Sequence, residues 1–202
     1  FFEQFGFSPA SFTGNPDLLP EESEGWDIGV EQTLFNGLAI IDLTYFEATL
    51  KNEIHTTYGP APDYFSTPAN RTTKSDRSGW EASFSVHPTD DIDIVGSYTN
   101  LEATEAASTE LRRPEHQGAI DASWRVGGGP LKLNLGVTYN GEMLDTDFAT
   151  FMPASIDPYT LVRVGASWQV NDTTELYGRV ENVTDEEYQE VLGFKGAPQA
   201  FY

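Results

Sequence analysis

The sequence contains no cysteine, few basic residues and no long apolar run, and each absence removes a class of protein. Without cysteine there is neither a disulfide framework nor a cysteine-based metal site. The 11 Lys and Arg stand against 32 Asp and Glu, a formal charge of -21. No nucleic-acid partner is therefore expected, because phosphate binding needs a basic surface. No apolar stretch approaches the roughly 18 residues of a transmembrane helix, and no secretory signal or amphipathic presequence is present.

The strong acidity has two interpretations. It favours solubility, and it also suits a surface beside lipopolysaccharide or loops that attract cationic or metal-bearing ligands. The remaining composition is more informative, since aromatic residues make up 13% of the 202 positions and there are 18 Gly and 12 Pro. This composition favours many strands separated by turns over helices, within a length that one domain can account for.

Alternation of apolar and polar residues is the dominant pattern along the chain. Residues 1–23 show no period and are expected to form a loop, whereas 24–35 alternate up to Asn36-Gly37. This dipeptide is the strongest two-residue hairpin signal, because both positions of a type I′ turn need positive φ. Counting outward from the turn pairs Val30 with Leu43 on the apolar face, which gives a self-consistent register.

The alternation recurs and predicts about eight strands in all. The later stretches lie at about 73–87, 92–103, 115–126, 131–139, 162–170 and 175–183. Short connections at 36–37, 88–91, 127–130 and 171–174 alternate with long ones at about 55–72, 104–114, 142–158 and 184–198. Short turns at one rim and long loops at the other are the layout of outer-membrane barrels. The strand lengths also fit the roughly 9 to 11 residues of a membrane strand better than the globular average of about 5 to 6.

The charged residues of the strand cores all fall on one face. They are Asp27, Glu31, Asp42, Glu81, Asp93, Asp121, Arg125, Lys132, Arg163, Arg179 and Glu181. A soluble β-sandwich would give the same period, so alternation alone does not identify a lipid-facing side. Trp124 and Trp168 lie close to short turns, whereas Trp26 and Trp80 lie far from theirs. Two aromatic levels about 15 to 20 Å apart resemble interfacial girdles, although a sandwich could use the same residues as core anchors.

A family resemblance is carried by the stretch from Glu175 to Phe194, a strand followed by an acidic turn and an aromatic-bearing run. It contains the pattern R-x-x-N-(aliphatic)-x-D-x-x-Y as Arg179, Asn182, Val183, Asp185 and Tyr188. This resembles the signature that introduces the last barrel strand of the TonB-dependent outer-membrane receptors. The continuation Val191-x-Gly193-Phe194 is most similar to the cobalamin-transporter branch, though ferric-siderophore receptors end similarly.

Three further motifs follow the family's order and spacing. Residues 15–25 resemble an "NP-x-L-x-PE-x-S" stretch before a strand, 77–81 resemble "R-G-(aromatic/aliphatic)-E", and 111–116 resemble "L-x-R-x-P-x-H". With the first motif they cover nearly the whole chain.

The resemblance implies an all-β fold, an antiparallel meander of about eight strands within a 22-stranded transmembrane barrel that encloses an N-terminal plug. Residues 1–202 would then be a partial barrel, about strands 14 to 21. A final strand would just begin at 199–202, and the plug, the TonB box, the first barrel half and the last strand would be absent. The implied protein is a receptor of the Gram-negative outer membrane that imports cobalamin or a ferric siderophore with energy from the TonB complex. Its surroundings would be the lipid bilayer and lipopolysaccharide. It would be no enzyme and would carry no cofactor.

Ligand recognition in the family comes from the plug apex and the long-loop rim, which gives the candidate ligand-binding residues. They are Tyr58, Tyr64, Phe65 and Arg71 in one loop, Phe148, Phe151 and Met152 in a second, and Phe194 in a third. Aromatic side chains at a rim can stack on a flat ligand such as a corrin or a catecholate. They also commonly pack loops against each other, and both roles stay open.

No catalytic constellation is present in the sequence. His55, His87 and His116 are scattered without a metal-ligand spacing. The acidic turns at 90–91 and 185–187 carry ligands of the type that calcium prefers, but solvated turns are the expectation and no metal site is predicted.

Arg163 and Arg179 face the lumen by alternation. They could pair with Glu31, Glu81 or Glu181, or face the plug.

Two other classes of function remain from the sequence. One is a passive porin-like barrel without plug or TonB coupling. The other is a soluble β-sandwich that serves as a binding or adhesion module.

Overall fold

In a computed structural model, which describes residues 1–105 and 108–202, the chain is built almost wholly of β-strands. One short helix, α1, spans Phe2–Phe5, and single 3-10 turns occupy Phe35–Gly37 and Val126–Gly128. The strands are β1 (Phe7–Ser8), β2 (Phe12–Thr13), β3 (Glu22–Leu34), β4 (Ala39–Lys51), β5 (Ile54–Tyr58), β6 (Ser66–Asn70), β7 (Ser75–Thr89), β8 (Ile92–Glu105), β9 (Ser108–Thr109), β10 (His116–Arg125), β11 (Leu131–Asn140), β12 (Met143–Asp147), β13 (Met152–Ile156), β14 (Tyr159–Asn171), β15 (Thr174–Glu181), β16 (Gln189–Val191), β17 (Phe194–Lys195) and β18 (Ala200–Phe201). Within the described residues no helix has the length and apolar character that crossing a membrane requires.

The chain forms two compact units. The first comprises Phe1–Trp26, Glu47–Arg77 and Ala103–Thr109, and the second comprises Asp27–Phe46, Ser78–Glu102 and Glu110–Tyr202. A four-stranded sheet with the order β1-β2-β6-β5 belongs to the first unit, and β2 runs parallel to β6 within it.

Two stretches of the first unit that the sequence predicts as loops contain regular structure. Residues 1–23 hold α1, β1 and β2, and 55–72 hold almost all of the β5–β6 hairpin. The loop prediction is wrong there because strands of a few residues are too short to show a period. Side-chain hydrogen bonds complete their pairing. The Asn70 side chain accepts the Leu19 N–H at 2.8 Å and donates to the Asn52 carbonyl at 2.6 Å.

The second unit is organised on a long sheet with the order β18-β15-β14-β11-β10-β8-β7-β4-β3. This is the meander that the alternation predicts, and its apolar positions meet across the strands. Ile120 lies opposite Val137, and Leu135 lies opposite Val164. Strand β18 pairs with β15, which confirms the predicted start of a further strand at 199–202.

The four short turns form at their predicted positions. Asn36 and Gly37 have φ of 57° and 95°, and the Leu38 N–H donates to the Phe35 carbonyl at 3.3 Å, as a type I′ turn requires. Hydrogen bonds link neighbouring short turns, from the His87 N–H to the Leu38 carbonyl, from the Arg125 N–H to the Asp91 carbonyl and from the Gln169 N–H to the Pro130 carbonyl. The short turns therefore lie at one end of the strands, and the long connections of this unit leave from the opposite end.

The long connections contain hairpins that the sequence does not predict. Residues 142–158 hold the β12–β13 hairpin, and 184–198 hold β16 and β17. We call these two hairpins the rim hairpins. The predicted connection 104–114 begins with the end of β8 and includes β9, while its residues 106 and 107 lie outside the described residues.

Candidate functional site

Three candidate residues of the second unit occupy the tip of the first rim hairpin, between β12 and β13. They are Phe148, Phe151 and Met152, and all three are exposed, with 76% of Phe151 accessible. The tip is shaped by Asp147, whose carboxylate accepts the Ala149 N–H at 2.8 Å and the Thr150 hydroxyl at 2.9 Å. These hydrogen bonds hold the pKa of Asp147 below its usual value. The bond from the Ala149 N–H has the larger effect and the bond from the Thr150 hydroxyl the next. The local bonds thus keep an apolar tip on an ordered turn.

The fourth candidate of this unit, Phe194, begins β17 in the second rim hairpin and is also exposed. The hairpin reverses at Gly193, whose φ of 85° suits glycine and whose N–H donates to the Gln189 side chain at 2.6 Å. Both rim hairpins therefore present apolar side chains that no other part of the hairpin covers. Such exposed apolar side chains can contact a ligand.

Below the tip of the first rim hairpin lies Asp145, which the sequence does not single out. Only 1% of this residue is accessible. Its Oδ1 accepts the Arg112 Nε–H and the Thr146 N–H, both at 2.8 Å, and its Oδ2 accepts the Leu192 N–H at 2.9 Å. Burial raises the pKa of Asp145, but the Leu192 N–H, the Arg112 guanidinium and the Thr146 N–H outweigh burial and hold this pKa below its usual value. A charged carboxylate is thus enclosed where three segments meet.

The signature residues of the 182–188 stretch have structural roles. Asn182 is buried, with φ of 49°, and its side chain accepts the Glu186 N–H at 2.8 Å. The Asn182 amide also donates to the Glu186 carbonyl at 3.0 Å and to the Ala197 carbonyl at 3.1 Å. Asp185 accepts the Gln199 N–H at 3.0 Å. The motif therefore builds the connection that leads from β15 towards β18.

Beside this connection is a concave space of about 590 Å³. Its aromatic wall is the pair Tyr159 and Tyr188, whose ring centroids lie 4.6 Å apart. Its charged lining includes Asp157, Glu187 and Lys195. Tyr188 is the last residue of the signature, so this aromatic contact explains its place in the motif.

The four candidates of the first unit have different environments. Tyr58 and Tyr64 are exposed, whereas Phe65 is half-buried and its carbonyl accepts the Gly59 N–H at 2.8 Å. Arg71 forms an ion pair with Glu105. The charge of Arg71 is therefore already balanced, and the two tyrosines are the open candidates of this loop.

On the polar face of the second unit, the two arginines that alternation predicts to face the lumen have carboxylate partners. Arg179 lies 3.2 Å from Glu181, one of the partners that the sequence suggests. Arg163 instead pairs with Asp121, across β11 at the position of Gly136. A side chain at Gly136 would collide with this pair, since a Cβ there would lie 2.8 Å from Asp121 Oδ1. The sequence did not indicate this pairing because the partners lie on non-consecutive strands.

The histidines remain apart from one another in the second unit. His87 Nδ1 lies 2.6 Å from Asp93, and its Nε2 lies 3.0 Å from the Ser85 hydroxyl. His116 Nδ1 lies 2.8 Å from the Tyr98 hydroxyl. Across residues 1–105 and 108–202, no group of three or more His, Cys, Asp or Glu side chains is arranged to hold a metal ion.

Comparisons with known proteins bear on the whole chain. A family model described as "TonB dependent receptor-like, beta-barrel" matches residues 1–183. The vitamin B12 transporter BtuB of Vibrio cholerae is 28% identical over 200 residues, which cover 94% of this chain and 30% of the transporter. The iron-regulated outer membrane virulence protein of Vibrio cholerae is 27% identical over 191 residues, which cover 86% of this chain and 29% of that protein.

A solved structure shows the same fold. The FpvA receptor of Pseudomonas aeruginosa, in complex with a heterologous pyoverdine and iron, superposes with a TM-score of 0.74 at 22% identity and covers 90% of this chain and 26% of that chain. The chain spans less than a third of the length of the proteins it matches.

Proposed function

Because the chain belongs to the TonB-dependent receptor family, whose barrel model matches residues 1–183, we propose that it forms the C-terminal wall and outer rim of an active-transport receptor. The receptor lies in the outer membrane of a Gram-negative cell. It binds a scarce nutrient complex at the rim and imports it with energy delivered through the TonB complex. The chain itself contributes strands, rim hairpins and contacts to the plug.

The observation that carries this proposal is the asymmetry of the second unit. Turns of two to five residues lie at one end of its strands. The rim hairpins lie at the other end of the strands. Their exposed side chains are Phe148, Phe151, Met152 and Phe194. A passive pore needs no exposed apolar side chains at its mouth, whereas a receptor uses them to contact its cargo.

Cobalamin and a ferric siderophore are the two cargo classes that we retain. Relatives named for vitamin B12 transport and for iron regulation match this chain to nearly the same extent. Exposed Phe and Tyr side chains suit both a corrin and a catecholate, because each offers a flat surface for stacking. Tyr58 and Tyr64 extend the same chemistry in the first unit.

The soluble β-sandwich alternative is not retained, since the chain belongs to a family of outer-membrane barrels. A passive porin-like barrel is the alternative that an experiment must separate from a receptor. It lacks TonB coupling and has no high-affinity cargo site.

The test uses the full-length protein in detergent and follows tryptophan fluorescence during titration with cyanocobalamin and, separately, with a panel of ferric siderophores. We expect saturable quenching by one class. Phe151→Ala combined with Phe194→Ala should weaken the affinity for this cargo by about tenfold or more, because aromatic contacts contribute about 0.5 to 1.5 kcal/mol each beyond their buried area. Phe35→Ala is the matched control, since Phe35 is an equally exposed phenylalanine in the short turn between β3 and β4.

Uptake of the same cargo is then measured in cells with and without TonB. Uptake that continues unchanged without TonB, with no saturable binding, would establish the passive pore and overturn the receptor.

A further inference from the structure

A buried carboxylate joins the two rim hairpins in the second unit. Asp145 lies on β12, in the first rim hairpin, and its Oδ2 accepts the Leu192 N–H from the second rim hairpin. Its Oδ1 accepts a hydrogen bond from the Nε–H of Arg112, which lies in the connection before β10. The backbone of Arg112 also reaches β12, where its N–H donates to the Leu144 carbonyl at 2.7 Å. One side chain therefore contacts three segments that are distant in sequence.

We propose that Asp145 is a positioning residue that fixes the two rim hairpins to each other, so that the tip carrying Phe148, Phe151 and Met152 and the strand carrying Phe194 respond to cargo together. This inference rests on the proposed function only for what the hairpins bind. The clamp itself is a property of the fold and does not depend on the identity of the cargo.

The physical basis is the cost of a buried charge. A carboxylate removed from water is strongly unfavourable unless charged or polar donors replace the lost hydration. Asp145 is 1% accessible with both hairpins in place, and with Leu192 displaced its carboxylate would lose one of its three donors. Separation of the hairpins therefore costs more free energy than the loss of one ordinary hydrogen bond. The same bond would be weak at an exposed position.

Asp147 offers a matched control on the same strand. Its carboxylate also accepts hydrogen bonds, but only from Ala149 and Thr150, within the tip of its own hairpin. Asp147→Asn therefore removes a carboxylate of the same hairpin without touching the link to Leu192. Asp145→Asn removes the charge and places an amide N–H₂ where acceptors are needed.

The experiment measures the distance between the hairpins in the full-length receptor by pulsed electron paramagnetic resonance, with spin labels at Ala149→Cys and Lys195→Cys and any cysteine outside this chain replaced. We expect one narrow distance distribution in the otherwise unchanged protein and in Asp147→Asn, and a broad distribution with a longer component in Asp145→Asn. A second label pair, Ala149→Cys with Asp157→Cys, reports on the first rim hairpin alone and should stay narrow in every variant.

Two results overturn the proposal. If Asp145→Asn leaves the distribution between the hairpins narrow, the carboxylate does not fix them. If the pair within the first rim hairpin broadens as well, Asp145 merely folds its own hairpin.

A binding arm uses cyanocobalamin and ferric pyoverdine as probes. For a probe that binds, the effects of Phe151→Ala and Phe194→Ala should be coupled with Asp145 present and become additive in Asp145→Asn, with affinity lowered about tenfold. Additive effects already in the presence of Asp145 would contradict the shared response to cargo. If neither probe binds, the proposed cargo classes fail while the distance measurement still decides the clamp.

Discussion

The second unit contains two regions that use apolar residues in opposite ways. The wall, strands β10, β11, β14 and β15, leaves its apolar side chains about half exposed, as at Ile120 with 48% and Leu135 with 45% accessible. The first rim hairpin buries Met143 and Ile156 almost completely, with 8% and 3% accessible. We propose that lipid completes the wall on its apolar face, whereas the first rim hairpin carries a small core of its own.

The difference also applies to charge. In the wall, the partners Arg163 and Asp121 are both about half exposed. At the rim, Asp145 is enclosed while its partner Arg112 remains half exposed. An exposed pair contributes about 0 to 1 kcal/mol, but an enclosed carboxylate that loses its donors is strongly destabilising. Single polar residues therefore matter more to the rim than to the wall.

The largest effect is expected from a charge placed on the apolar face of the wall. Ile120 lies on this face opposite Val137, four residues from Trp124, and Ser123 lies on the polar face 3.4 Å from Asp93. Ile120→Arg should destabilise the folded barrel by about 2 to 4 kcal/mol, because arginine is costly near the middle of a bilayer. Ser123→Arg, which gains a carboxylate neighbour, should have little effect. Unfolding in urea from lipid vesicles measures both, and equal losses would show that the face of Ile120 does not meet lipid.

A smaller but substantial loss is expected in the signature connection. Asn182→Ala removes three hydrogen bonds from a buried position with φ of 49°. It should cost about 2 to 3 kcal/mol, since the Glu186 and Ala197 backbone groups lose their partners. Asn171→Ala in the exposed short turn also removes side-chain hydrogen bonds, to Thr173, and should cost less than about 1 kcal/mol. Thermal unfolding of the full-length protein compares the two, and similar losses would contradict a structural role for the signature.

The comparison also explains how much of the fold the sequence could predict. The wall is predictable because each residue's face follows from a period of two, so that Ile120 and Val137 could be placed together from the pattern alone. The turn at Asn36-Gly37 is equally local, because its chemistry lies in two adjacent residues. These features need no knowledge of distant parts of the chain.

The rim was predictable in position but not in structure. The sequence placed long connections at 142–158 and 184–198, and it named their exposed aromatic residues as candidates for ligand contact. It did not identify Asp145, whose donors at Arg112 and Leu192 lie 33 and 47 residues away. A lone aspartate in a short strand has no periodic signature, and only the folded chain brings its donors together. Whether the exposed aromatics contact cargo stays a prediction.

The most local effect is expected from pH at the rim. The pKa of Asp145 is held below its usual value by the donors of Leu192, Arg112 and Thr146, despite burial. Its contribution to the contact between the hairpins is therefore fully present above the pKa of a free aspartate, about 3.9, and is lost as the pH falls through the lower value of the folded state. Between pH 7 and 5 the distribution of distances between labels at positions 149 and 195 should stay narrow, and it should broaden only at a pH below the ordinary pKa of aspartate. Asp145→Asn should be broad at every pH, while Asp147→Asn should keep the transition even though the pKa of Asp147 is lowered too, because its bonds stay within the tip. A transition that persists in Asp145→Asn would assign the pH response to another carboxylate and leave the rim no different from the wall.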